Sequence, residues 1–183
     1  LLSLAYLSPH QQLNFIADAT GLFSKDLNVV WTHIGGGSDE HVEKFKVHVN
    51  NALDSNPLIS FDYRGSLSKN HLHALLSSEE FDLFLNSSSS EGIPVSMMEA
   101  LSVGIPILAP DVGGIAEIVN NDTGILLPTN FTPKEITKAL QDWILLDENS
   151  QLDFRFRARL FWEENFRAQS NYSKFTVRIK NRD

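Results

Sequence analysis

The sequence predicts an α/β fold, a Rossmann-like parallel sheet of about six strands flanked by helices. Three observations carry that expectation. Short apolar runs of strand length alternate with amphipathic stretches along nearly all 183 residues. Turns rich in glycine or serine follow the strand-like runs at 35–37, 65–67, 87–94 and 111–114, which gathers them on one sheet edge. The length suits a single domain, residues 1–183, with 42% hydrophobic and 21% charged residues.

Leu1 to Leu7 reads as a buried strand, and Gln11 to Phe23 as a helix with Leu13, Ile16 and Thr20 inward. Asn28 to Ile34 is a second strand ending in Gly35-Gly36-Gly37. That triplet fits either close backbone approach to a ligand or a flexible turn. Ser38 caps a helix carrying Val42, Phe45 and Val49 at helical spacing. Leu58 to Tyr63 alternates as a third strand, and Ser68 caps a short helix through Leu75 and Leu76. Phe81 to Leu85 is the fourth strand and Ile107 to Ala109 the fifth. A short helix spans Gly114 to Val119, and Ile125 to Leu127 is the sixth strand. Thr132-Pro-Lys-Glu135 forms a capping box that opens a helix through Ile136, Leu140 and Trp143. From Ser150 onward one or two helices are expected, with Leu152, Phe156 and Leu160 at helical spacing.

Lys plus Arg number 15 against 23 Asp plus Glu, a net charge of −8, which disfavours nucleic acid as a partner. No apolar run approaches the ~20 residues of a membrane span. A chain opening inside a strand, without Met, reads as a piece of something longer. The absence of cysteine excludes disulfide and thiolate chemistry and fits a reducing compartment. Of four Asn-x-Ser/Thr sequons, the one at Asn86 would place a glycan within the central motif. The sequons at Asn86, Asn121, Asn130 and Asn171 are therefore read as accidental and the protein as cytoplasmic.

The central motif is residues 86–99, NSSSSEGIPVSMME. It reads as a strand end, a glycine–proline turn and a helix, with Pro94 in the first helical turn and Gly104 after the last. Val95, Met98 and Leu101, at i, i+3 and i+6, are expected to face a core. The first turn offers unpaired backbone N–H groups to an anion. Glu91 and Glu99 bracket that turn, and no Lys or Arg occurs from Asn70 to Pro133. The combination suggests a phosphate held by backbone and hydroxyls held by carboxylates. His33, within an apolar strand, reads as structural, and Arg64 as a surface arginine. No His/Asp/Glu cluster has metal-ligand spacing, so no bound metal is expected.

Glu91, seven residues, then Glu99, preceded by serines and enclosing Gly-Ile-Pro-Val-Ser, resembles the donor-site motif of retaining GT-B glycosyltransferases. The resemblance is to the glycosyl transferases group 1 family, of the type that builds bacterial surface polysaccharides and lipopolysaccharide cores. Trp31–Gly37, Asp111–Gly114 with Glu117, Gly124–Leu127, and Trp162 through Phe175 with Phe166, Asn171 and Tyr172 resemble further blocks in order. The resemblance implies one half of a GT-B fold, the carboxyl-terminal donor-binding domain, with the N-terminal acceptor domain lying outside this chain. It implies transfer of a sugar from a nucleoside diphosphate sugar, of UDP or GDP type, to a glycan or lipid-linked acceptor with retention. No further cofactor is implied. Such a half binds donor without turnover, and any peripheral attachment to the inner face of the membrane would reside in the missing half.

By the same resemblance, Glu91 is the catalytic carboxylate, accepting hydrogen bonds from the donor sugar, and Glu99 grips the ribose. The N–H groups of Ile93, Val95 and Ser96 hold the distal phosphate on the turn made by Gly92 and Pro94. Gly65 and Leu67 mark the base pocket, and Gly36, in the triplet read above as either a close backbone approach or a flexible turn, is the candidate donor-binding glycine on that edge. One departure stands out: where the family carries an Arg and a Lys after the first strand, this chain has Tyr6 and Gln11. Charge-assisted hydrogen bonds are worth roughly 1.5–3 kcal/mol each, so diphosphate binding should be weakened. The alternatives are a GT-B-like sugar-nucleotide epimerase, or a catalytically weakened nucleotide-sugar-binding domain. A plain dinucleotide domain is disfavoured because no G-x-G-x-x-G follows the first strand.

Overall fold

The computed structural model describes residues 1–24 and 26–167. Six strands, β1 (Leu2–Leu4), β2 (Val29–Ile34), β3 (Ile59–Gly65), β4 (Phe84–Leu85), β5 (Ile107–Pro110) and β6 (Gly124–Leu127), form one sheet. All pair in parallel, in the order β3-β2-β1-β4-β5-β6. The helices are α1 (Leu13–Gly21), α2 (Asp39–Leu53), α3 (Lys69–Ser78), α4 (Val95–Leu101), α5 (Pro133–Ile144) and α6 (Glu148–Asn165).

Strand residues alternate between two cores, as the pleat requires. Trp31, Leu83, Leu85 and Leu108 face one layer, where Ile16 of α1, Val49 of α2 and Leu140 of α5 meet them. Leu2, Ile34, Phe84 and Ile107 face the other, against Leu72 of α3, Leu101 of α4 and Ala158 of α6. The predicted inward residues of α1, α2 and α5 are those found buried or half-buried, so helical periodicity located their faces correctly.

Several boundaries move for identifiable reasons. β1 leaves its ladder after Leu4, and the chain continues by donating Ala5 N–H to Ile34 O (3.1 Å) and Leu7 N–H to Gly36 O (2.7 Å). Pro9–Gln11 forms a 3-10 turn, so the first helix starts at Leu13 rather than Gln11. The stretch expected as a helix over 114–119 is a single 3-10 turn, Ile115–Glu117. The segment from Ser150 belongs to one helix, α6. Leu152, Phe156 and Leu160 point to solvent there, while Phe154, Ala158, Phe161 and Trp162 make the packing face. Asn171, Tyr172 and Phe175 of the terminal block lie outside the described residues. Asn86 is buried, and its Oδ1 accepts the Ser88 N–H (2.9 Å), so that sequon is closed to modification in the folded chain.

The β1–β2 seam holds a buried polar cluster. The Trp31 indole N–H donates to Ser3 Oγ (2.8 Å), and His33 Nδ1 lies 2.8 Å from the same oxygen. The His33 ring also packs on Phe45 and Tyr63. Its Nε2 has no hydrogen-bond partner among the described residues. Burial pushes the His33 pKa down to about 4, an effect the Ala5 main chain only partly offsets. This histidine is thus structural, as its strand context predicts.

A folded-state pKa below the ordinary histidine value means that the unfolded chain binds the proton first. The His33 contribution is therefore fully present above about pH 6.5 and lost progressively as pH falls toward 4. The expected loss is up to about 3 kcal/mol of unfolding free energy. Urea unfolding of the unsubstituted chain and of His33→Gln between pH 7 and 4 should show a steeper decline in the former. Parallel pH profiles would show that His33 titrates alike in both states.

Candidate functional site

The order of the sheet reverses direction between β1 and β4, which pair through Leu2 and Phe84. The chain leaves these adjacent strands to opposite faces, opening a crevice at their carboxyl ends, the usual ligand position in such sheets. The loops at that crevice are residues 5–12, after β1, and residues 86–94, after β4.

The two loops are stitched together. Ser87 Oγ donates to the Gln11 carbonyl (2.7 Å), and the Ser89 N–H donates to the His10 carbonyl (2.8 Å). Gln11 Nε2 donates to Glu91 Oε1 (3.2 Å). The buried Ser88 hydroxyl lies 2.7 Å from Gln11 Oε1 and 2.8 Å from Glu91 Oε1. Its single proton serves one of those acceptors at a time. Gln12 completes the turn in a left-handed conformation (φ 46°), an uncommon state for a residue with a Cβ. Sequence reasoning missed Ser88 and the Gln11 contact. The available signal was the run of four serines straight after an apolar strand.

Pro94 sits at the N-cap of α4, one position before the helix proper. The Met97 and Met98 N–H groups donate back to its carbonyl (3.2 and 3.4 Å). The N–H groups of Val95 and Ser96 precede Met97, the first donor to that carbonyl, and so lie in the first turn, where the helix supplies no acceptor. The expectation that Val95 faces the core is corrected. Val95 is 66% exposed, and the buried face is Met97, Ala100 and Leu101. The chain enters α4 from an exposed turn, so the helix docks by its second half and its first residue overhangs solvent. Glu99 is half-buried on the helix, and Gly92 and Ile93 are exposed. A side chain at Gly92 would meet nothing within 4 Å, so protein packing does not demand glycine there.

Gly113 is different. It follows β5 with φ +56°, and a Cβ there would lie 1.6 Å from the Glu91 carbonyl oxygen. The Gly114 N–H donates to the Gly92 carbonyl (3.2 Å). The 111–114 loop therefore forms the floor beneath Glu91. The glycine triplet after β2 also serves packing between loops. Gly35, at φ +152°, leaves room for the Ala5 carbonyl, and its N–H donates to the Gly65 carbonyl (2.9 Å). Gly36 lies against the Ser66 side chain. Leu67 packs on the α3 side of the core.

Glu91, Gly92 and Ile93 thus share one turn, followed at once by Pro94, Val95 and Ser96 and by Glu99 within α4. Gly36, Gly65 and Leu67 stand on the same edge near β3, three strand spacings from β4, or ~14 Å. Arg64 is held by Asp62 and Glu79 away from this group. Tyr6 is 63% exposed. A cleft of about 430 Å³ opens beside the β1 loop, toward His41, Lys44 and His48 of α2, and none of the predicted site residues lines it. Among the described residues, no group of three His, Asp or Glu could hold a metal ion, and no helix is long and apolar enough to cross a membrane.

An open parallel sheet of this order, with its loops gathered at a single switch point, defines a Rossmann-like half of the kind that pairs in a GT-B fold. The chain belongs to the glycosyl transferases group 1 family, whose profile matches residues 1–161. It is 32% identical over 122 residues to the GtfA subunit of the UDP-N-acetylglucosamine–peptide N-acetylglucosaminyltransferase of Streptococcus agalactiae, covering 60% of this chain and 24% of the relative. It is 33% identical over 95 residues to N-acetyl-alpha-D-glucosaminyl L-malate synthase of Bacillus anthracis, covering 51% and 24%. The fold superposes on Anabaena HepE, solved in complex with UDP, with a TM-score of 0.77 at 16% identity, over 98% of this chain and 48% of that one. The chain thus spans about a quarter of the length of these curated relatives and half of the solved structure.

Gly113→Ala is expected to destabilise the fold by about 2 kcal/mol, combining the left-handed backbone cost with displacement of the Glu91 carbonyl. Denaturant unfolding measures this. A change under ~0.5 kcal/mol, the range of ordinary surface substitutions, would show that the floor does not hold Glu91.

Proposed function

We propose that this chain is the carboxyl-terminal, donor-binding half of a retaining GT-B glycosyltransferase that extends a glycan or lipid-linked acceptor. The observation that carries the reading is the placement of Glu91 and Glu99 around one exposed turn at the switch point of a glycosyl transferases group 1 fold. The donor is a nucleoside diphosphate sugar. UDP in the HepE complex and the UDP-sugar in the name of the streptococcal relative support a uridine donor.

In this reading the base lies near Gly65 and Leu67, and Gly36 borders the cleft. The ribose hydroxyls donate to Glu99, and a carboxylate can accept both at once. The distal phosphate takes the N–H groups of Ile93, Val95 and Ser96. Glu91 accepts from the donor sugar's hydroxyls beside the reacting carbon. Backbone donors aimed at the departing diphosphate favour the transition state as charge develops there, without a metal. A span of ~14 Å from β3 to β4 suits an extended nucleotide sugar. The site is an open edge, so the second wall belongs to the acceptor-binding half, and the isolated chain binds without transferring.

Gln11 supports a second reading, a weakened nucleotide-sugar-binding domain. The neutral side chain at the expected Lys position is turned to Glu91. Tyr6, at the Arg position, carries no cation either.

Thermal unfolding with UDP, GDP and ADP, each with and without its sugar, tests the proposal. At about a hundred times its dissociation constant, a ligand stabilises by ~2.7 kcal/mol, a rise of roughly 5–10 °C for this size. One base should give that shift, and Glu99→Ala should abolish it. No shift with any nucleotide would sink the donor-site assignment for this chain.

Gly92→Ala supplies a sharper control. Its side chain enters open space, so stability should change by less than ~0.5 kcal/mol. The nucleotide-sugar shift should nevertheless shrink, because the methyl group stands where the donor approaches. An unchanged shift would place the donor elsewhere.

A further inference from the structure

We propose that Gln11 and Ser88 are positioning residues that fix the Glu91 carboxylate so that only one of its oxygens faces the donor sugar. This deepens the donor-site reading above and rests on it. Both protein hydrogen bonds reach the same oxygen. Gln11 Nε2 lies 3.2 Å and Ser88 Oγ 2.8 Å from Glu91 Oε1. Ser88 Oγ is also 2.7 Å from Gln11 Oε1, closing a three-membered polar ring. Among the described residues, Oε2 takes no such bond.

The ring sits on a rigid base. Ser88 is fully buried, and its N–H is fixed on Asn86 Oδ1 (2.9 Å). The Gln11 carbonyl is held by Ser87 Oγ (2.7 Å), and the Glu91 backbone rests on Gly113. A glutamate in a loop would otherwise sample several rotamers. The Gln11 amide donates to Oε1, and the Ser88 hydroxyl, whose one proton turns to Gln11 Oε1 or to Glu91 Oε1, backs the same side; together they select one rotamer and leave Oε2 as the acceptor for a sugar hydroxyl. Pre-organisation of this kind keeps the ordering cost out of the binding step.

The role differs in kind from that of a lysine at the same position. A lysine would act on the diphosphate and so affect nucleotide and nucleotide sugar alike. Gln11 acts through Glu91, so its effect should be confined to the sugar. Ser88 should share this signature, since it contacts the same oxygen.

Calorimetric titration of the chain and its variants separates the two roles. The probes are the nucleoside diphosphate that stabilises the unsubstituted chain, and its glucose and N-acetylglucosamine conjugates. Gln11→Ala should leave affinity for the bare nucleotide within twofold and lower that for the preferred conjugate about tenfold. Ser88→Ala should act in the same direction. In a Glu91→Ala background, Gln11→Ala should have no further effect, a non-additivity that a general loss of structure would not produce. Equal weakening of nucleotide and conjugate, or additivity with Glu91→Ala, would overturn the positioning role while leaving the donor site standing. Absence of binding by any nucleotide would instead overturn the donor site, and this inference with it.

Discussion

The reversal of strand order between β1 and β4 is the constraint on which the rest of this structure depends. Strands β1 to β3 build outward on one side and β4 to β6 on the other. Helices α1 and α2 consequently cover one face, α3 and α4 the other, and the loops after β1 and β4 are left facing each other without a helix between them. The polar contacts that join the two loops of the candidate site cross this gap. Residues about 75–80 positions apart in sequence, Gln11 with Ser87, Ser88 and Glu91, become neighbours only because their strands are adjacent.

The gap is filled by small polar residues. Ser87 and Ser88 are buried where β4 ends; Ser87 Oγ donates to the Gln11 main-chain carbonyl, and Ser88 Oγ lies within hydrogen-bond distance of the Gln11 side-chain oxygen. Buried polar groups carry a penalty unless paired, so the serine run and the Pro9–Gln12 turn stabilise each other. The left-handed Gln12 falls at the same place, where local backbone strain is held by contacts on both sides. On the far side, Gly113 admits the Glu91 carbonyl where any side chain would expel it. Three loops from three strands thus converge on a single residue, Glu91.

Much of this was legible in the sequence. The strand–helix alternation, the inward residues of α1, α2 and α5, and the capping box before α5 all follow from local rules. At that box, the Glu135 carboxylate accepts from the Thr132 N–H (2.8 Å) and the Thr132 hydroxyl. Those hydrogen bonds draw the Glu135 pKa below its ordinary value. Where local reasoning failed, the cause was tertiary. Val95 fits an i, i+3, i+6 pattern yet overhangs solvent, because a seven-residue helix docks through the phase its entry turn permits. Leu152, Phe156 and Leu160 marked the helix by their spacing, yet they point to solvent. There Phe154, Ala158, Phe161 and Trp162 form the packing face, while Arg155 and Arg159 reach the Phe81 and Ser102 carbonyls.

By itself the sequence determined the fold class, the order of elements, the family and the residues that bracket the turn, because periodicity, caps and motif spacing are properties of short stretches. Only the tertiary structure decided that Gln11 meets Glu91 through Ser88, that Gly113 rather than Gly92 is the glycine packing requires, and that the glycine triplet seats neighbouring loops. These are facts about which strand lies beside which. Strand neighbours are set by the burial of two whole cores at once, and no local stretch of the chain encodes that.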